Sequence, residues 1–219
     1  MDYEAVIFDL DGTLVNTISD IANSMNRVLI KMGLPAHEIA EYYYFVGAGL
    51  KELCRRVLPK DLQYETKVLE YRELFNEDYN QNWHNETYPY PGIIELLEYL
   101  QQKNKTIAIL SNKPDHFCKL FVQHFFPNIN FAIVRGNLDS LPPKPHPAGG
   151  MYITESLNLD PKDVLFVGDS DIDMQTAANC GFIAMGAEWG FRSQEELLKA
   201  GAKHIFSSPS HLLKFLQEI

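Results

Sequence analysis

Glu4-Ala5-Val6-Ile7-Phe8-Asp9-Leu10-Asp11-Gly12-Thr13 is a short apolar run that closes on two aspartates one residue apart. A buried strand of a parallel sheet reads this way, β-prone and apolar on both faces, with polar residues where it passes into a loop. The same texture recurs at 106–110 (TIAIL), 131–134 (FAIV), 163–167 (DVLFV) and 182–185 (FIAM). Amphipathic stretches separate these runs. Ile93, Leu96, Leu97 and Leu100 recur at helical spacing, as do Phe117, Leu120, Phe121 and Phe125, and Pro209 opens a terminal helix reaching Phe215. Strands alternating with helices predict an α/β fold: a doubly wound parallel sheet with a Rossmann-like core.

The alternation lapses between Asp9 and Thr106. Ile18, Ile21, Ala22, Met25, Val28, Leu29 and Met32 fall on one face of a helix begun near Thr17 and closed by Gly33, with Pro35 beyond. Further helices are expected from Leu50 to Leu58 and from Tyr64 to about Tyr79, and the interval ends near Tyr88-Pro89-Tyr90-Pro91-Gly92. It reads as a small helical cap domain inserted after the first strand, with residues 1–16 and 87–219 as the core and 17–86 as the cap. The aromatic run Tyr42-Tyr43-Tyr44-Phe45 is expected to pack the cap, and Arg55 and Arg56 to be solvated.

Four short motifs carry possible chemistry. Asp9 and Asp11 stand at the carboxyl end of a strand, where open α/β sheets bind ligands, and such a pair suits a nucleophile and an acid/base. Gly12 would let the backbone approach a phosphate closely, although a polar turn ending a strand is the plainer reading. Ser111-Asn112-Lys113 follows the strand at 106–110, with Pro114 suited to a first helical turn. A hydroxyl and backbone N–H groups there make either an anion cradle or an ordinary cap. Lys144, stiffened by Pro145 and Pro147, is a solvated charge if alone, but neutralises transition-state charge if carboxylates and a phosphate surround it. Gly168-Asp169-Ser170-Asp171-Ile172-Asp173 ends another strand. Its acidic cluster suits a hard cation with oxygen ligands, while Ser170 and Asp171 also qualify as caps of the next helix. Two unit charges about 4 Å apart repel by roughly 4 kcal/mol at an effective dielectric near 20, so ionised Asp9 and Asp169 call for a cation between them.

Bulk composition narrows the classes. With 219 residues, 46% of them hydrophobic, the chain is expected to be globular, and no repeat or low-complexity tract interrupts it. A net charge of −10, with 19 scattered Lys and Arg, argues against nucleic acid as a partner. No apolar run approaches the roughly 20 residues that span a bilayer, so no membrane partner is expected. Cys54, Cys118 and Cys180 form neither a disulfide framework nor a zinc pattern, and a cytoplasmic location fits them. The seven histidines, His37, His84, His124 and His146 among them, show no metal-ligand spacing.

The order Asp-x-Asp-Gly-Thr, Ser-Asn, Lys, Gly-Asp-x-x-x-Asp resembles the haloacid dehalogenase superfamily along essentially the whole chain. The resemblance implies a magnesium-dependent phosphatase acting on a small phosphorylated substrate, as a monomer or homodimer. Carried over residue by residue, it makes Asp9 the nucleophile and Asp11 the acid that protonates the leaving oxygen and then activates water. It assigns Mg2+ to Asp9, the backbone carbonyl of Asp11 and Asp169, with Asp173 close by. Ser111, with Asn112 and Gly12, would bind the phosphoryl group, and Lys144 would orient Asp9 and balance charge. Asp11 matches the phosphatase branch, because dehalogenases of this fold lack the second aspartate.

Phe45-Val46-Gly47-Ala48-Gly49-Leu50 is similar to the cap segment of phosphoglycolate phosphatases, with Lys51 as a possible counter-charge for the leaving group. Asn112-Lys113-Pro114, Lys144-Pro145-His146-Pro147 and Trp189-Gly190-Phe191-Arg192-Ser193 extend that likeness, and the arginine-containing cap segment of the β-phosphoglucomutase branch is missing. 2-Phosphoglycolate is therefore the implied substrate. Inorganic pyrophosphatase and sugar-phosphate phosphatase or mutase are the alternatives within the superfamily, and a phospho-accepting or binding protein that does not turn over is the alternative outside it. Ala148-Gly149-Gly150 departs from the family pattern; two glycines disfavour helix by about 1 kcal/mol each relative to alanine, so an irregular helix start is expected there.

Overall fold

The computed structural model describes residues 3–138 and 141–219. In chain order the elements are β1 (Ala5–Phe8), β2 (Val15–Asn16), α1 (Ile18–Lys31), α2 (Ile39–Phe45), α3 (Leu50–Val57), α4 (Glu65–Asn82), β3 (Tyr88–Pro89), α5 (Ile93–Gln102) and β4 (Thr106–Pro114). They continue with α6 (Asp115–Phe125), β5 (Ile133–Asn137), α7 (Ala148–Leu157), β6 (Val164–Gly168), α8 (Asp171–Cys180), β7 (Ile183–Ala187), α9 (Gln194–Lys199), β8 (His204–Phe206) and α10 (Pro209–Gln217). The chain divides into two compact units, Met1–Val15 with Pro89–Ile219, and Asn16–Tyr88.

In the first unit six strands run in the order β5-β4-β1-β6-β7-β8, and every ladder between them is parallel. β1 lies between β4 and β6, and the chain adds strands first to one side of it and then to the other. β1 is thus the switch point, and the ligand crevice of such a sheet opens at the carboxyl ends of β1, β4 and β6. All four β1 residues are fully buried, as an apolar strand covered on both faces requires. One face packs Ala5, Ile7, Ala108, Leu110, Val164 and Phe166 against Ile153 of α7 and Met174 and Ala177 of α8. β8 is an addition to the strands read from the sequence.

α7 corrects another expectation. It begins at Ala148, so Gly149 and Gly150 lie inside a regular helix. Their cost in propensity is offset by close packing: a Cβ on Gly150 would sit 2.5 Å from Cys180 Sγ and 2.9 Å from the Phe182 ring, and one on Gly149 would sit 2.7 Å from Leu110 Cδ1. Glycine lets this helix approach the sheet.

The second unit packs α1 to α4 around Met25, Leu29, Tyr42, Leu53, Cys54, Tyr71 and Phe75. Its two central tyrosines are buried with their hydroxyls satisfied, Tyr42 donating to Asn26 Oδ1 (2.8 Å) and Tyr71 to the Met25 carbonyl (2.6 Å). The buried Asp20 carboxylate accepts from the Glu86 and Thr87 amides and the Thr87 hydroxyl, which ties the end of this unit to α1. Arg55 and Arg56 are not simply solvated. Arg55 donates to the Gln63 carbonyl, and Arg56 to the carbonyls of Tyr44 and Phe45 at the end of α2. Lys51 pairs with Glu65 at 2.6 Å on the surface. Among the described residues, no helix is long and apolar enough to cross a membrane.

Candidate active site

Asp9 directly follows β1, and its amide donates to the Val167 carbonyl of β6 at 2.9 Å, so the strand pairing itself delivers its side chain to the switch point. Its side chain is 11% exposed. Its Oδ1 lies 3.0 Å from Lys144 Nζ, which lies in turn 2.6 Å from Asp173 Oδ1. Carboxylate oxygens of Asp9, Asp169 and Asp173 all fall within 4.8 Å of one another.

Asp169 directly follows β6 and is held from two directions. Thr13 Oγ1 donates to its Oδ1 at 2.9 Å, and the Phe191 amide donates to its Oδ2 at 2.9 Å. Asp173 is the N3 residue of α8: its Oδ2 accepts from the Ser170 amide and hydroxyl, and the Ser170 hydroxyl accepts from the Asp173 amide. This reciprocal cap leaves the other Asp173 oxygen on Lys144. Ser170 thus caps α8 as expected, with Asp173 rather than Asp171 as its reciprocal partner, while the carboxylates of Asp9, Asp169 and Asp173 stay clustered.

Three buried carboxylates face one buried ammonium. Burial pushes the Asp9 carboxyl up to about 6, against the lowering effect of Lys144. Burial, with Asp173 and Asp9 nearby, raises Asp169 well above the usual carboxylate range. Burial alone would lower the Lys144 ammonium, but Asp173 and Asp9 outweigh it and raise the proton affinity. The cluster is short of positive charge and offers only hard oxygen donors, and this donor set fits a divalent cation such as Mg2+.

The second motif is built differently from a helix cap. β4 extends to Pro114, and its register against β5 slips: Leu110 pairs with Arg135, but Pro114 pairs with Asn137. Ser111, Asn112 and Lys113 therefore oppose Gly136 alone in a bulge, which turns three successive side chains toward different partners. A Cβ on Gly136 would lie 2.4 Å from Asp115 Cα, so the partner strand must be glycine at this point.

Ser111 is buried, and its Oγ accepts from the Lys113 amide at 3.3 Å. The Asn112 side-chain amide turns to the backbone of Lys144. Its Oδ1 accepts from the Lys144 amide (2.7 Å) and its Nδ2 donates to the Lys144 carbonyl (3.0 Å), which clamps the backbone of that lysine. Gly12, at φ 82°, likewise serves a neighbour, because a Cβ there would stand 2.4 Å from Asp169 Oδ2.

Two features lay outside the residue-by-residue reading. The Trp189–Arg192 stretch, noticed only as a likeness, packs on the aspartate loop. Trp189 Nε1 donates to the Thr13 carbonyl at 3.0 Å, and a Cβ on Gly190 would lie 2.3 Å from the Gly12 carbonyl and 2.2 Å from Asp169 Cβ. Lys113, read only as part of the cradle, lies with Nζ 3.0 Å from Asp11 Oδ1, its side chain 3% exposed. No periodicity or motif spacing signals that pair.

Residues 6–187 match the family described as haloacid dehalogenase-like hydrolase. The chain is 32% identical over 221 residues to the phosphoglycolate phosphatase of Haemophilus influenzae strain 86-028NP, with 98% of each chain covered. It is 30% identical over 220 residues to the phosphoglycolate phosphatase of Vibrio parahaemolyticus, covering 97% of this chain and 96% of that one. The crystal structure of a predicted phosphoglycolate phosphatase from Haemophilus somnus matches with a TM-score of 0.91 at 29% identity, over 99% of both chains.

Proposed function

Because the chain belongs to the haloacid dehalogenase-like hydrolases and is a phosphatase of that family, we propose that it hydrolyses 2-phosphoglycolate through an aspartyl-phosphate on Asp9, with Mg2+ as cofactor. The observation that carries the chemistry is Asp9 itself, buried at the switch point between Lys144 and two further carboxylates. The choice of substrate is supported by the named relatives, which match over nearly their whole length.

An Asp9 carboxylate oxygen attacks phosphorus while the bond from phosphorus to the ester oxygen breaks. The electron pair goes to that oxygen, which takes a proton from the Asp11 carboxyl, and glycolate leaves. A water then gives a proton to the Asp11 carboxylate and attacks the same phosphorus. The Asp9 oxygen departs with its electron pair, so carboxylate and inorganic phosphate are regenerated. Lys144, held by Asn112 through its backbone and by Asp173 through its ammonium, keeps Asp9 oriented and offsets the charge that develops on the phosphoryl oxygens. Ser111 takes the role of a phosphoryl-oxygen ligand. Asp9, Asp169, Asp173 and the backbone carbonyl of Asp11 would hold Mg2+, which when bound supplies charge neutralisation and a template for in-line attack. The Asn16–Tyr88 unit is assigned the task of a cap that selects the leaving group.

The test is kcat/KM across 2-phosphoglycolate, pyrophosphate, hexose phosphates, nucleotides and p-nitrophenyl phosphate. Phosphoglycolate is expected to lead. A tenfold preference for a hexose phosphate or nucleotide, about 1.4 kcal/mol of transition-state discrimination, overturns the substrate and leaves the mechanism standing. Absence of magnesium-dependent turnover on every ester overturns the mechanism too and returns the chain to the phospho-accepting class.

A further inference from the structure

The bulge in β4 sends Lys113 away from the Asp9 cluster and toward Asp11. Its ammonium lies 3.0 Å from Asp11 Oδ1, 4.5 Å from the centre of the Phe121 ring and 5.9 Å from that of Phe117. The lysine side chain is 3% exposed and the Asp11 side chain 12% exposed. Phe117 and Phe121 are buried on the first turns of α6, so they form a wall that holds the ammonium by cation–π attraction where it meets the carboxylate. Asp11, in contrast, sits in a loop where a side chain with two free torsions would otherwise sample several directions.

We propose that Lys113 is a positioning residue of the reaction, which holds the Asp11 carboxyl in the one orientation from which it can reach the ester oxygen and the attacking water. This rests on the acid/base assignment of Asp11 made above. Lys113 and Lys144 then divide the work: two buried lysines, 31 positions apart in the sequence, each clamp one aspartate of the Asp9-Leu10-Asp11 triplet. The division explains the bulge physically. In a regular strand Ser111 and Lys113 would share one face. The extra residues allow Ser111, Asn112 and Lys113 to serve the phosphoryl position, the Lys144 backbone and Asp11 in turn.

The experiment is a double-mutant cycle of K113M and D11N, read as kcat/KM over aryl phosphates of increasing leaving-group pKa. Misplacing a catalytic group by about 1 Å costs on the order of 10²-fold, so K113M is expected to lose about 10- to 100-fold on poor leaving groups and much less on p-nitrophenyl phosphate, with KM changed little. The slope of rate against leaving-group pKa should steepen toward that of D11N. The double variant should be no slower than D11N alone, because a positioning residue has nothing left to position. It also carries no unpaired buried charge, so it remains informative if K113M alone folds poorly. A further tenfold loss on going from D11N to D11N/K113M, or an equal loss across all leaving groups in K113M, overturns the proposal and assigns Lys113 to phosphate binding or to the fold. If D11N itself is as fast as wild type on poor leaving groups, the acid/base reading of Asp11 fails instead.

Discussion

Asp9 is surrounded by competing charges, and a single substitution separates its roles. On the mechanism proposed above, Asp9→Asn removes the nucleophile, since an amide cannot form the acyl-phosphate, and turnover should fall below detection at saturating Mg2+. The fold should survive. In the folded protein burial holds the Asp9 carboxyl up at about 6, above its ordinary 3.8, so at pH 8 its charge costs stability, and the neutral amide removes that cost while Lys144 keeps Asp173 at 2.6 Å. Metal-free Asp9→Asn is expected to melt at pH 8 no lower than wild type. A drop of several degrees would mean that the pair with Lys144 stabilises more than the burial of charge costs. At this scale the sequence was informative where a residue's place on a strand limits its options. Asp9 and Asp169 follow apolar runs and could be put at the crevice. The contacts of Asn112 with Lys144 and of Gly12 with Asp169 left no trace in the sequence pattern, because these partners are 32 and 157 positions away in the chain.

The elements themselves were legible where hydrophobic period and length agree. The central strands and α1, α5 and α10 follow from apolar spacing. β8 is only three residues long, His204–Phe206, with little pattern to read, and the bulge in β4 was hidden because residues 111–113 look like a helix cap. α7 shows where propensity and packing oppose each other. By propensity alone Gly150→Ala should stabilise the helix by about 1 kcal/mol. The added Cβ would instead meet Cys180 Sγ at 2.5 Å and the Phe182 ring at 2.9 Å, and neither is the far end of a long flexible side chain. Overpacking of this kind typically costs about 1–3 kcal/mol. Gly150→Ala is therefore expected to lower the thermal midpoint, measured by calorimetry or circular dichroism. A higher midpoint would mean that α7 can move away from α8 without penalty.

At the scale of the whole molecule, charge is coupled to the divalent ion proposed above. A net charge of −10 and a cluster of three buried carboxylates against one lysine make the metal-free protein electrostatically frustrated at neutral pH. The carboxyls of Asp9 and Asp169 are both raised, so the folded state holds protons that the unfolded state has released, on Asp9 between about pH 4 and pH 6. The Asp9 contribution is favourable on the acid side of that window and is lost as pH rises through about 6, and that of Asp169 is lost in the same direction. A divalent ion needs the deprotonated carboxylates, so below about 6 it must displace protons to bind, while above it the ion relieves a repulsion already present. The stabilisation by Mg2+ should therefore grow with pH. At a concentration about 100 times its dissociation constant the ion adds about 2.7 kcal/mol, or roughly 5–10 °C in a domain of this size, at pH 8. At pH 5 the same concentration should give a much smaller shift. Ca2+ is expected to raise the midpoint at pH 8 as well, yet not to support turnover, because it accepts more oxygens at longer distances and would draw Asp9 out of line with phosphorus. Equal Mg2+ shifts at pH 5 and pH 8 would show that the ion binds away from Asp9 and Asp169, and full turnover with Ca2+ would show that the metal neutralises charge without fixing the line of attack.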